Sequence, residues 1–312
     1  MAALGVVLCH YCQALNISAT LKNIFTFGQT GVYVFFLVSG FIIIYSLINS
    51  GYKTNMFFTF LLKRSLRIDP AYYITLIITL LFFKYLATIS PVKTASFNFI
   101  PLQFLAHVTY VLPFTKYPFY AHVFWTLCVE FQFYLIIGSL YFLSGNFIFK
   151  TIFLLLFSLL GFANWPNGYY LVFNYAPIFA AGIALVSLYQ DRNWLNASLV
   201  VIFLLFTERK FGIPVFVLLS TACLLILFLK QKIKPLSFLG DISYSLYLTH
   251  TLIFALLAII QNKFHLTVSD YPLLLLFLET IIAIFFAYVF YMLIERPSLY
   301  YSKKIFYKKQ LA

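Results

Sequence analysis

The chain has 312 residues, 63% of them hydrophobic and only 9% charged, with a formal net charge of +13. An ordinary soluble domain is about 25% charged, so a water-soluble enzyme, a disordered chain and a small disulfide scaffold are excluded; what remains is an integral membrane protein with almost no extramembrane domain. The basic residues sit between apolar runs instead of forming one patch, which speaks for loop anchors of a multi-pass protein and against nucleic acid.

Runs of roughly 17–25 apolar residues predict an all-α polytopic membrane protein with about ten transmembrane helices around a central cavity. In chain order the runs cover residues 1–17, 30–48, 71–89, 123–143, 147–163, 170–189, 194–207, 211–229, 242–260 and 272–294. A loop of roughly thirty residues follows the third run and a basic tail closes the chain. The first run lacks a basic leader and a clean cleavage site, so it reads as a span and not as a signal peptide. With this alternation Lys53, Lys63, Arg64, Arg67, Lys150, Arg192, Lys230, Lys232, Lys234, Arg296, Lys303, Lys304, Lys308 and Lys309 fall on one side. Lys22, Lys84, Lys93, Lys116, Arg209, Lys210 and Lys263 fall on the other. About 14 against about 7 makes both termini cytoplasmic by the positive-inside rule. No internal repeat or linker divides the chain, so residues 1–312 are expected to form a single domain.

A charge at the centre of a span costs about 2.5–3.5 kcal/mol on insertion scales, so polar residues inside spans mark candidate chemistry. His10 lies in the first run; an imidazole in a pocket of low dielectric stays mostly neutral and can take a proton from a hydroxyl. The bland alternative is a histidine hydrogen-bonded between helices. Glu130 lies in Trp125-Thr126-Leu127-Cys128-Val129-Glu130-Phe131-Gln132-Phe133-Tyr134. It could orient His10 as the acid of a triad does, or pair with a loop lysine at a helix end. Arg64 and Arg67, three apart, share a helix face and suit phosphate oxygens, or simply anchor topology.

Other residues say less alone. His250 heads the ninth run and reads as a buried packing residue; His107, His122 and His265 read as solvated. Cys9 and Cys12 have a redox or zinc spacing with no second pair, and no metal is expected. Gly31, Ser39 and Gly40 let helices approach closely. Asn16-Ile17-Ser18 and Asn196-Ala197-Ser198 match a glycosylation pattern too common to count.

The order of these pieces resembles the acyltransferase-3 family of membrane O-acyltransferases, which includes bacterial sugar O-acetyltransferases. The segment from Ala2 to His10-Tyr11 looks like the family's first span with its essential histidine. Gly31 to Phe41 is similar to its second-span signature, and Arg64-Ser65-Leu66-Arg67-Ile68-Asp69-Pro70 to its R-x-x-R motif. Trp125 to Tyr134, Leu239 to His250, and Glu295-Arg296-Pro297 match three further segments in order. The family's arginine about eleven residues before the histidine would fall ahead of Met1, so a missing stretch is expected there. Asp69 stands where an aromatic is common.

The resemblance implies transfer of an acyl group, most often acetyl, from acyl-CoA to a hydroxyl of a cell-envelope or exported carbohydrate, in a bacterial inner membrane. His10 would serve as general base or transient acyl carrier, supported by Glu130. Arg64 and Arg67 would hold the CoA phosphates. Ser39, Tyr134 and His250 are the candidate cavity or oxyanion donors. The acceptor would enter from the far face, under the 91–122 loop. The alternatives are a transporter or flippase for lipid-linked sugars, which usually shows two similar halves, and an inactive membrane partner.

Overall fold

A computed structural model describes residues 2–89, 98–141, 145–229, 231, 233–263 and 271–307. All regular structure among the described residues is helical. The α-helices are α1 (Ala2–Cys12), α2 (Ala19–Thr26), α3 (Gly31–Asn49), α4 (Phe57–Ile89), α5 (Pro101–Val108), α6 (Trp125–Leu140), α7 (Phe147–Leu160), α8 (Ala176–Gln190), α9 (Trp194–Phe211), α10 (Ile213–Phe228), α11 (Lys234–Asp241), α12 (Ser243–Lys263), α13 (Pro272–Phe290) and α14 (Arg296–Lys303). A π-helical turn, Tyr291–Glu295, joins the last two. Local chemistry sets many boundaries. Prolines open α5, α8, α10 and α13, where a missing N–H costs nothing. Asn146 and Asn193 cap α7 and α9 through their side-chain oxygens. Gly212, at φ 87°, makes the turn between α9 and α10 that a Cβ would strain.

Each apolar run is a helix, but the lengths differ from the expectation. Among the described residues six stretches are long and apolar enough to cross a bilayer: Ala19–Asn49, Thr54–Thr88, His122–Leu140, Val172–Gln190, Ser243–Gln261 and Pro272–Lys303. Ala2–Cys12, Phe147–Leu160 and Ile213–Phe228 are apolar but shorter. The third run starts much earlier than residue 71, because α4 runs straight through Pro70. Proline there removes one backbone donor, a loss that helices in membranes tolerate. The long loop is not structureless either: it holds α5 and the 3-10 turns Leu112–Phe114 and His122–Phe124. Lys93, Lys230, Lys232, His265, Lys308 and Lys309 lie outside the described residues.

The chain forms two compact units, each discontinuous in sequence. The first comprises Met1–Gln29, Lys63–Trp125 and Lys234–Lys304. Here α1 packs on α2, α12 and α13, burying Val7, Cys9, Tyr11 and Cys12 completely. Gly5 and Gly28 touch backbone to backbone, leaving no room for a side chain at Gly28. The second comprises Thr30–Leu62, Thr126–Ile233 and Ile305–Ala312. Its core is α8, where Ala176 to Val186 are all buried. α3 crosses α8 at Gly40 and Gly182; a Cβ at Gly40 would stand 2.6 Å from the Phe179 carbonyl oxygen, and one at Gly182 would collide with that of Leu37. Phe179 stacks on Phe133 at 4.1 Å and meets Phe36 at 5.1 Å.

Both units carry bulky apolar side chains outward: Leu81 and Leu293 in the first, Phe58 and Leu224 in the second. Such faces fit hydrocarbon and not water.

Candidate active site

In the first unit, α1 and α12 bring two histidines together. The rings of His10 and His250 lie 5.2 Å apart at an angle of 40°. Tyr11 sets the register: its hydroxyl donates to the His250 carbonyl at 2.9 Å, and its ring stacks on Phe254 at 5.0 Å. His10 is half-buried, whereas His250 is fully buried. Nδ1 of His250 is 2.7 Å from the Tyr247 carbonyl oxygen, and the Tyr247 hydroxyl donates to the Val123 carbonyl at 3.2 Å.

The start of α12 is held by a second buried group. Glu295 accepts from the backbone N–H of Ser245 at 3.1 Å and from its hydroxyl at 2.5 Å. The π-helical turn, with its extra residue, carries Glu295 to this place. Arg67 acts on Glu295 electrostatically. Arg64, one turn earlier on α4, is only 6% exposed, which is unusual for a residue serving only as a solvated anchor. Asp69, on the same helix, accepts from the Tyr110 hydroxyl at 2.7 Å and also meets the hydroxyls of Ser65 and Tyr73. The carboxyl thus stands at the centre of a hydroxyl cluster, which an aromatic at this position could not form.

His107 and His122 part company. His122 is exposed, as expected, with its ring against Trp125 at 6.4 Å. His107 is not solvated: its exposure is 0%. Its Nε2 accepts from the Tyr120 backbone N–H at 3.2 Å, so Nδ1 carries the proton and donates to the Tyr72 hydroxyl at 3.2 Å. That hydroxyl donates in turn to the His107 carbonyl at 3.1 Å. Burial holds the imidazole neutral, with its pKa pulled down to about 4.

In the second unit, Glu130 lies inside α6. Its Oε1 accepts from the Ser39 hydroxyl at 3.0 Å and from the Tyr134 hydroxyl at 2.6 Å. Two residues on, Gln132 clamps the turn before α8, donating to the Tyr170 carbonyl and accepting from the Val172 N–H, each at 3.0 Å. Ser39 thus joins Glu130 and Tyr134 of α6 in one cluster, while His10 and His250 form another with Arg64 and Arg67 in the same unit. Cys9 and Cys12 are buried and unbridged, with the Cys12 thiol donating to the Cys9 carbonyl. Asn196 is 6% exposed and its amide donates to the Asp191 carbonyl, so that glycosylation pattern is enclosed.

Helices of spanning length and outward apolar faces define an integral membrane protein, with clusters of polar residues in its interior. Residues 1–296 match the acyltransferase domain family Acyl_transf_3, and the chain belongs to that family. It is a membrane acyltransferase by that membership. No curated protein and no solved structure matches the chain.

Proposed function

We propose that the protein moves an acetyl group from acetyl-CoA to a hydroxyl of an envelope or exported carbohydrate, in a bacterial inner membrane. The observation that supports this most is the family match over residues 1–296 together with the pairing of half-buried His10 with buried His250 in the matched segment. His10 acts as general base. Its ring takes the acceptor's hydroxyl proton while the alkoxide oxygen attacks the thioester carbonyl. The C–S bond breaks, the imidazolium returns the proton to the departing thiolate, and ester and free CoA leave. Arg64 and Arg67 bind CoA phosphates through their guanidinium forks. Glu130 is the second protonatable group of the reaction, proposed from its motif and its hydroxyl partners Ser39 and Tyr134. The family match gives no support to a transporter.

The test is acetyl incorporation from labelled acetyl-CoA into membrane glycans. His10→Ala should lower it by about 10²-fold or more, the usual worth of a general base, with normal protein levels in the membrane. Arg64→Ala and Arg67→Ala should raise the KM for acetyl-CoA about tenfold each, since a charged hydrogen bond is worth about 1.5–3 kcal/mol. Wild-type incorporation by His10→Ala overturns the base assignment. An unchanged KM returns the arginines to topology anchors.

A further inference from the structure

The carbonyl of Tyr247 can only accept a hydrogen bond, so Nδ1 of His250, 2.7 Å away, carries the ring's proton. In the neutral ring Nε2 is then a bare lone pair. That nitrogen is buried and has no hydrogen-bond partner among the described residues. An acceptor buried without a donor loses its hydration for nothing, a penalty that leucine or phenylalanine would not incur. His250 has no N–H left for an oxyanion, and its closed surroundings keep it from being the group that touches a sugar hydroxyl. The ring standing beside it is that of His10, with centroids 5.2 Å apart. Each imidazole nitrogen lies roughly 1 Å from its ring centre, and χ2 of histidine is a soft torsion. The roughly 3 Å of a hydrogen bond is reached when a His10 nitrogen and Nε2 both lie on the line between the ring centres, and a turn about the soft χ2 supplies the His10 half of that alignment.

We propose that His250 is the positioning residue of His10: its vacant Nε2 accepts the His10 N–H in the working enzyme. This fixes which His10 nitrogen holds the proton and leaves the other as a lone pair for the acceptor hydroxyl. The inference rests on the reading of His10 as base and deepens it. A neutral ring here does what a carboxylate does in a serine-protease triad, holding the tautomer and orienting the imidazole. It does so without placing a second charge in the bilayer. The hydrogen bond from the Tyr11 hydroxyl to the His250 carbonyl ties α1 to α12 at the level of the two rings.

Two variants separate positioning from packing in the full-length protein, with labelled acetyl-CoA and membrane glycans as substrates. His250→Phe keeps a ring and removes the acceptor; His250→Gln removes the ring and supplies an amide oxygen where Nε2 was. Positioning predicts that Phe lowers kcat about 10²-fold, within the range of losing a correctly held base, with the KM for acetyl-CoA within about twofold. It also predicts that Gln restores most of the rate. A packing role predicts the reverse order, since phenylalanine suits a buried site and an amide does not. That order, or full activity in His250→Phe, overturns the proposal.

A readout independent of turnover covers the case in which neither variant accumulates. In wild-type protein labelled with 15N-histidine, His10 (assigned with His10→Gln) should show a single tautomer and His250 a proton on Nδ1 only. Mixed tautomers at His10, or a proton on His250 Nε2, overturn the proposal. Activity surviving in His10→Ala would instead defeat the reading of His10 as base, whatever the spectrum shows.

Discussion

At the scale of single residues, the contrast between His107 and His250 separates support from chemistry. Both are fully buried, yet His107 has every ring nitrogen and its own carbonyl in a closed circuit with Tyr72 and Tyr120, whereas His250 keeps one nitrogen vacant. A satisfied histidine belongs to the scaffold and makes a stability prediction. Its folded pKa, about 4, lies below the usual 6.5. Above pH 6.5 both folded and unfolded forms are neutral and nothing is lost. As the pH falls from 6.5 towards 4 the unfolded state takes a proton that the folded state refuses, so stability drops, by at most about 3 kcal/mol. Protonated Nε2 would also point its N–H at that of Tyr120. Thermal unfolding in detergent at pH 7 and at pH 4.5 should therefore show a larger fall for wild type than for His107→Gln. Equal falls would acquit His107. None of this was legible in the sequence, because burial of His107 depends on a tyrosine 35 positions away. The Ser39–Glu130 bond spans 91 positions and was hidden for the same reason. The candidate residues themselves could be picked out, because an isolated polar group in an apolar run is visible locally.

At the scale of elements, apolar runs foretold where helices lie better than where they end. Hydropathy says that a segment must satisfy its own backbone, and in a bilayer only a helix does that alone. Ends depend on other things. The third run is expected to begin at 71, after Lys63, Arg64, Arg67 and Pro70, yet α4 continues through them, with Arg64 buried and half-buried Asp69 accepting from the Tyr110 hydroxyl. Close crossings were better signalled: Gly40 was singled out as a small residue in the second run, and it meets Gly182 of α8. A methyl at Gly182 must push against the Leu37 carbonyl, which is backbone and cannot swing aside. Gly182→Ala should cost roughly 1–3 kcal/mol, the usual penalty for overpacking, and lower the melting temperature in detergent by a few degrees. Gly240→Ala is the control, since nothing lies within 4 Å of its added carbon. Equal melting temperatures for the two variants would show that α3 and α8 separate without penalty.

At the scale of the whole molecule, the open matter is the path through the membrane, and it turns on α1. The sequence suggests about ten crossings, whereas among the described residues six stretches have full spanning length and composition. Both counts put the termini on one side, but they disagree about the segment between α4 and α6. If α1 crosses, that segment follows the third passage and faces away from the termini. If the first passage is Ala19–Asn49, it follows the second and faces the same way as they do. An 11-residue helix rises only about 16 Å, roughly half of the hydrocarbon core. Against that stands its packing: Val7, Cys9 and Tyr11 are sealed against long apolar helices, and half-buried His10 meets His250 inside α12. A helix resting on the membrane surface would expose one polar face, and α1 has none. We therefore expect α1 to lie at membrane depth and the α4–α6 segment to be extracytoplasmic. The four native cysteines are all buried, so introduced thiols can be labelled against a quiet background. Lys116→Cys, at an exposed position of that segment, should react with an impermeant maleimide in intact cells, whereas Lys303→Cys on α14 should react only after lysis. Labelling of both only after lysis would mean that α1 does not cross. A hydroxyl acceptor arriving from outside would then have to reach His10 by another route.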